Sequence, residues 1–370
     1  MVKPKKYSWK DSNVELIGTK EDRSIKKISA ETEKAWAKVK SCNHPELFIW
    51  RIEKFKVVEW PKNQFGEFYN GDSYIILNIY TRGNEILYDV HFWIGKYSTQ
   101  DEYGTAAYKT VELDNFLDDK PVQHREVQHY ESELFKSYFS QLIYLNGGIE
   151  SGFRHVITKE YSPRLLHVRG DKLKVIVSEV AATKRNLNSD DVFLYDTGTH
   201  IFQWIGKGAN KDERYHGQRF AQQLSSDRNG KVKIEVVDED DSSSNLIFYN
   251  KLSDEISEDW DDDKHHKPLC EHEKLLFRIS DETGKLKFEK IGKGNISRAQ
   301  INEDDVFIID NGQQIFVYIG EKSSRAERQN ALIYAHNYLK GTEYPQAPIS
   351  VVKKDLKGNS AEQFKKVIGG

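Results

Sequence analysis

Asp190-Asp191-Val192-Phe193-Leu194-Tyr195, continuing to Gln203-Trp204-Ile205-Gly206 and then to Glu213, is the stretch that decides the fold. An acidic doublet opens a run of β-branched and aromatic residues, the composition of a strand. Its apolar residues are nearly continuous, as in a central strand covered on both faces. Thr197-Gly198 supplies a hairpin turn, and a second strand ends at Ile205-Gly206. A helix is then predicted from Asp212 to Leu224, amphipathic through Phe220, Ala221 and Leu224.

The same order of signals occurs twice more. Upstream, Gly71-Asp72-Ser73-Tyr74-Ile75-Ile76-Leu77 leads to Phe92-Trp93-Ile94-Gly95 and Glu102. Downstream, Asp304-Asp305-Val306-Phe307-Ile308-Ile309 leads past Asn311-Gly312 to Val317-Tyr318-Ile319-Gly320 and Glu327. An apolar run precedes each copy: Leu47-Phe48-Ile49-Trp50, Leu165-Leu166-His167-Val168 and Leu275-Leu276-Phe277-Arg278-Ile279. The glutamate follows the glycine by 7 residues every time. It follows the aspartate by 22 residues in the later copies and by 30 in the first, whose hairpin around Thr81-Arg82-Gly83-Asn84 is longer. Successive aspartates lie 119 and 114 residues apart, a domain-sized period and not a solenoid one. Helices are predicted at Asp101 to Leu117 and Arg325 to Leu339 in the outer copies. A sheet covered by helices, three times over, is an α+β architecture.

Composition agrees. A chain of 370 residues exceeds one core and suits two to four domains. Net charge is -3, which does not suit a protein that neutralises nucleic-acid phosphates. Charge runs fall in the lysine-rich first 40 residues and around Glu258, Asp259, Asp261, Asp262 and Asp263, the composition of solvated tail and linker. The two cysteines, Cys42 and Cys270, are too few for a disulfide framework. Neither a signal-peptide pattern nor an apolar run of membrane-spanning length is visible, so a soluble cytoplasmic protein is expected.

Each copy sets an aspartate at a strand start and a glutamate in the first turn of a helix. If helix packs on strand, two hard carboxylates converge beside backbone carbonyls, a set suited to calcium and not to zinc. The plainer account is that the helix dipole favours acids in a first turn and that aspartate serves turns.

At these motifs the sequence resembles the gelsolin/villin superfamily, in its three-repeat severin/fragmin-like form, from about Leu47 to Ile368. The most specific stretches are Phe68-Tyr69-Asn70-Gly71-Asp72-Ser73-Tyr74, Thr99-Gln100-Asp101-Glu102-Tyr103-Gly104-Thr105-Ala106-Ala107 and Gly147-Gly148-Ile149-Glu150-Ser151-Gly152-Phe153. The resemblance implies three tandem gelsolin-like domains, each a central mixed β-sheet flanked by a long and a short helix. They would span 46–157, 158–257 and 272–370, with an N-terminal extension at 1–45 and an acidic linker at 258–271. It implies a calcium ion in each: Gly71, Asp72, Glu102 and Ile149; Asp190, Asp191 and Glu213; Asp304, Asp305 and Glu327. An ion shared with actin would take the Asp114 carboxylate and the carbonyls of Asp119 and Pro121. Where secreted members carry a disulfide, this chain has Val192 and Ile205.

The implied function is calcium-dependent severing of actin filaments, capping of barbed ends and nucleation of polymerisation by a monomeric cytoplasmic protein of the cytoskeleton. The alternatives are a three-repeat capper that does not sever and a calcium-dependent phosphoinositide-binding adaptor. Actin contacts would come from Tyr108, Phe116, Gly152 and Phe153, and phosphoinositide contacts from Arg164, Arg169, Lys172 and Lys174. At about 100° per residue, the apolar arc of the first long helix runs from Tyr103 through Ala106, Ala107, Thr110, Val111, Leu113 and Leu117. Tyr108 and Phe116 fall outside that arc, which suits insertion of the helix in a partner groove. No catalytic set emerges: His124 and His129 lack zinc-protease spacing, and Gly206-Lys207-Gly208 and Gly292-Lys293-Gly294 complete no phosphate loop.

Overall fold

In the computed structural model, which describes residues 33–149, 163–170, 175–228, 230, 232–240, 248–254, 273–354 and 358–369, the three copies build the same unit. The first copy contributes α1 (Ala37–Lys40), β1 (Glu46–Glu53), β2 (Lys56–Glu59), β3 (Glu67–Tyr69), β4 (Ser73–Arg82), β5 (Glu85–Ile94), α2 (Gln100–Phe116), β6 (Val122–Val127), α3 (Glu133–Ser137) and β7 (Leu142–Leu145). The second contributes β8 (Arg164–Gly170), β9 (Val175–Val180), β10 (Val192–Asp196), β11 (His200–Ile205), α4 (Lys211–Ser226) and β12 (Lys233–Asp238). The third contributes β13 (Leu275–Ser280), β14 (Lys287–Lys293), β15 (Val306–Asp310), β16 (Ile315–Ile319), α5 (Arg325–Lys340), β17 (Ile349–Lys353) and α6 (Asn359–Val367).

The strand that each acidic motif opens is central. β4, β10 and β15 pair antiparallel with the first strand of their copy on one side and with their hairpin partner on the other. The hairpin partner then pairs parallel with the strand that follows the long helix. A parallel pair requires a crossover connection, and the long helix is that crossover. Each sheet is therefore mixed.

Both faces of each central strand are buried. In β10, Val192 and Leu194 meet Phe220, Ala221 and Leu224 of α4, while Phe193 and Tyr195 meet Phe248 on the other face. In β15, Val306 and Ile308 face Ala331, Ala335 and Leu339 of α5, while Phe307 and Ile309 face Phe364 and Val367 of α6. In β4, Ile75 and Leu77 face Ala106 and Leu113 of α2, while Tyr74 and Ile76 join Trp60, Phe68, Trp93 and Phe135. The unbroken apolar runs thus follow from two-sided burial.

Three features go beyond the sequence reading. Trp36 and Val39, from the segment expected to precede the first repeat, are buried in the first core, where the Trp36 indole donates to Glu112 at 3.1 Å. β3 and β7 of the first copy extend the sheet of the second, in the order β12-β11-β10-β8-β9-β7-β3. The sheets of the first and third copies join edge to edge, in the order β14-β13-β15-β16-β17-β6-β5-β4-β1-β2. At that junction β17 runs antiparallel to β6, pairing Ile349 with Arg125, Ser350 with His124 and Val351 with Gln123.

The face of α2 departs from the predicted arc. Ala106, Thr110 and Leu113 are buried, but Tyr103 is 37% exposed. Tyr108 is outside as expected, at 46%. Phe116 corrects the expectation: it packs against the first core. Three residues after Leu113, it stands only about 60° from the buried stripe and closes its edge.

Candidate metal centres

One local construction recurs at the three expected sites. The helix N-caps are Thr99, Asn210 and Ser324, and each side chain accepts from the N–H of the glutamate three residues on. That glutamate returns a carboxylate oxygen to the cap N–H, at 3.2 Å for Glu102, 3.0 Å for Glu213 and 2.9 Å for Glu327. These are capping boxes, so the plainer account of the glutamates holds as far as it goes. In the later copies the second oxygen reaches further. It accepts from Gly170 N–H and from Asp281 N–H, both at 2.9 Å, which ties helix to first strand.

The glycine of each Trp/Tyr-Ile-Gly motif holds the aspartate end of the site. Gly95, Gly206 and Gly320 donate their N–H to the carbonyls of Asp72, Asp191 and Asp305, at 3.0, 3.0 and 3.1 Å. A Cβ on Gly95 or Gly320 would come within 2.5 Å of a backbone oxygen, and one on Gly206 would collide with the Ser189 carbonyl. Only glycine permits the approach.

The acids then converge. Asp72 is fully buried, accepts from Ile149 N–H at 3.0 Å and receives the Arg51 guanidinium on its other oxygen. Burial pushes its carboxyl up to about 6; Arg51 pulls the other way, and the Glu102 charge adds to the rise. The Asp191 and Glu213 carboxyls lie close enough to influence each other's ionisation. Burial raises Glu213, with Asp191 adding to the effect; Asp191 itself is held below the usual range because hydrogen bonds from His167 and Asn188 outweigh burial. The third copy repeats this: burial and the charges of Asp281 and Asp305 raise Glu327, while at Asp305 burial pushes up but is outweighed by Arg278, Ser280 and Asn302, which keep it low. Asp190 and Asp304 are exposed, and their N–H groups bond to Asn188 and Asn302, both at 2.9 Å.

The donor set is all oxygen, which fits calcium. Glycines keep space beside it. A Cβ on Gly148 would come 2.8 Å from Asp72 Oδ1, and one on Gly208 would come 2.8 Å from Asp190 Oδ1.

The residues expected to share an ion with actin lie together at the C-terminal end of α2. Asp114 is buried and accepts from Gln123 at 2.6 Å. Asp118 and Asp119 both have positive φ, 60° and 56°, and the Asp119 N–H bonds the Asp114 carbonyl at 2.9 Å. Pro121 is buried next to them. Aspartate is among the few residues other than glycine that tolerate this left-handed conformation. Gly152, Phe153, Lys172 and Lys174 lie outside the described residues, as does the 258–271 linker. Arg164 faces Asp196 at 3.6 Å, and Arg169 is half-buried.

Residues 54–136, 174–247 and 288–355 match the Gelsolin repeat family. The chain belongs to the gelsolin family. It is 46% identical to Gelsolin-like protein 1 of Lumbricus terrestris, over 96% of this chain and 95% of that protein. It is 44% identical to Severin of Echinococcus granulosus, over 100% of this chain and 98% of that protein. A chain from the crystal structure of the Thorarchaeota 2DGel3/rabbit actin complex matches over 56% of this chain and 100% of that one, at 27% identity and a TM-score of 0.24.

Sequence reasoning missed the contacts between gelsolin repeats 1 and 3. His124 is buried in the seam, 2.7 Å from Ser350 Oγ and 3.3 Å from Ser360 Oγ, and its ring stacks on His91 at 4.2 Å. Arg82 pairs with Glu362, and Arg125 donates to the Ala347 carbonyl at 3.4 Å. His129 packs on Tyr144 with ring centres 4.6 Å apart. It also missed the basic partners Arg51, His167 and Arg278, whose only signal is their place on the first strand of each repeat. Among the described residues, no helix is long and apolar enough to cross a membrane.

Proposed function

We propose that this chain is a calcium-dependent actin-binding protein that severs filaments, caps their barbed ends and nucleates polymerisation. It works as a cytoplasmic monomer on the cytoskeleton, by binding and wedging and not by catalysis. The observation that carries the reading is the recurrence, once per gelsolin repeat, of an aspartate–glutamate pair that converges between strand and helix.

The residues divide the work. Asp72 with Glu102, Asp191 with Glu213, and Asp305 with Glu327 supply the carboxylates; Gly71, Ile149, Asp190 and Asp304 complete the sets. Asp114, Asp119 and Pro121 form the ion site shared with actin. When bound, calcium offsets the repulsion between the paired carboxylates. Tyr108, with Gly152 and Phe153, contacts actin; Phe116 serves the core beneath. The β6–β17 seam holds repeat 3 against repeat 1, and only a ligand that binds the open form better can shift that balance.

Arg169, Lys172 and Lys174 are candidate contacts for phosphoinositide headgroups, with Arg164 available once it leaves Asp196. Filament cosedimentation tests the whole reading. Calcium should move the chain into the filament pellet and shorten the filaments, and chelator should prevent both. Equal behaviour in the two conditions contradicts it.

A further inference from the structure

Each candidate calcium site has a basic side chain already on its aspartate. Arg51 on β1 donates to Asp72 Oδ2. His167 on β8 donates to Asp191 Oδ2 at 2.8 Å, and Arg278 on β13 donates to Asp305 Oδ2 at 2.8 Å. The three occupy one structural position. Arg51 is the register partner of Tyr74, His167 of Phe193 and Arg278 of Phe307. Tyr74, Phe193 and Phe307 each stand two residues after the site aspartate. Three different antiparallel strand pairs therefore aim a nitrogen donor at the same carboxylate.

We propose that Arg51, His167 and Arg278 are internal competitors for the calcium sites, holding the ligand carboxylate in the metal-free protein and setting the calcium concentration at which each site fills. This rests on the calcium reading above. A guanidinium is a fixed charge, so it opposes a dication twice: it occupies the oxygen, and it repels the ion if it stays.

The sites are not held equally. Arg51 is nearly buried, with its guanidinium 5.4 Å from the Trp60 ring centre and 4.9 Å from that of Tyr69, so it is fixed in place. His167 is stacked on Phe193 at 4.5 Å. The Arg278 side chain is 33% exposed and has a second partner in Glu282 at 3.3 Å, to which it can retreat. The first repeat should therefore need more calcium than the third.

The test is the calcium-binding isotherm of the full chain, with Glu327→Gln identifying the component that belongs to repeat 3. Arg278→Gln should tighten that component about fivefold, the scale of a partly exposed ion pair. Arg278→Lys should stay near the parent. The sign is diagnostic, because loss of a merely structural contact loosens a site and does not tighten it. Arg278 is on the surface, so the variant folds; Arg51→Gln, measured beside it, should tighten the repeat 1 component. Unchanged or weaker repeat 3 binding in Arg278→Gln overturns the proposal while leaving the calcium reading intact. A parent chain that takes up no calcium overturns both.

Discussion

The ammonium of Lys353, at the end of β17 in repeat 3, lies 3.2 Å from the carbonyl oxygen of Asp119, in the turn after α2 of repeat 1. That oxygen is one of the proposed ligands of the ion shared with actin. Docking of repeat 3 and use of this site are thus opposed. Lys353→Gln should lower the calcium concentration for half-maximal severing by about twofold, since an exposed contact of this kind is worth well under 1 kcal/mol. Severing rates across a free-calcium series provide the check, and an unmoved midpoint would make the contact incidental.

The seam should weaken in acid. Burial first, then His124, holds His91 well below its ordinary 6.5, against the pull of Asp89. Burial, then Arg125 and Lys340, lowers His336 on α5 from the same value. The unfolded chain binds protons that these folded imidazoles refuse, so their contribution is complete above 6.5 and is lost as pH falls below it. Burial raises Glu126, beside His91, and this works in the opposite sense. Within the seam, two imidazoles against one carboxylate leave a net loss, with a ceiling of about 1.4 kcal/mol per pH unit for each proton. In chelator, amide protection in β6 and β17, corrected for the intrinsic exchange rate, should therefore drop between roughly pH 7.5 and pH 5.5; flat or rising protection in those strands contradicts this sign.

Gly206→Ala should disturb the second repeat locally. Its Cβ would meet the Ser189 carbonyl, so the backbone carrying Asp191 must shift. A cost of about 2 kcal/mol corresponds to amide exchange about thirtyfold faster in β10 and β11. Hydrogen exchange read by mass spectrometry resolves those strands from β15 and β16, which should not change.

Two aromatics on α2 should separate binding from folding. Tyr108→Asp places a charge on an exposed position and should weaken actin binding about tenfold with Tm unchanged. Phe116→Ala removes a side chain packed on the first core and should cost about 2 kcal/mol of stability. Equal Tm losses in the two variants would remove Tyr108 from the binding surface.

Much of this was legible because it rests on patterns that local chemistry dictates. Asp191, Gly206 and Glu213, with their counterparts, follow from a strand start, a close backbone approach and a capping box, and spacing alone recovers them. The β6–β17 junction was not legible: its ladder is backbone hydrogen bonds, which any sequence can supply, and its side-chain contacts, such as His124 to Ser350, join residues far apart in the chain that no motif links. Trp36 was missed because it stands next to a lysine-rich stretch that reads as tail. Phe116 was misplaced because a helical wheel gives angles but not the width of the surface that covers them. Arg51, His167 and Arg278 differ in type, so no motif marks them; their equivalence exists only in strand register.

The most direct test is time-lapse imaging of single actin filaments exposed to the full chain, first in chelator and then in calcium. Intact, growing filaments in chelator, followed by breaks along their length and arrested barbed ends on addition of calcium, is the predicted result. Breaks at the same rate in both solutions, or none in either, would contradict it.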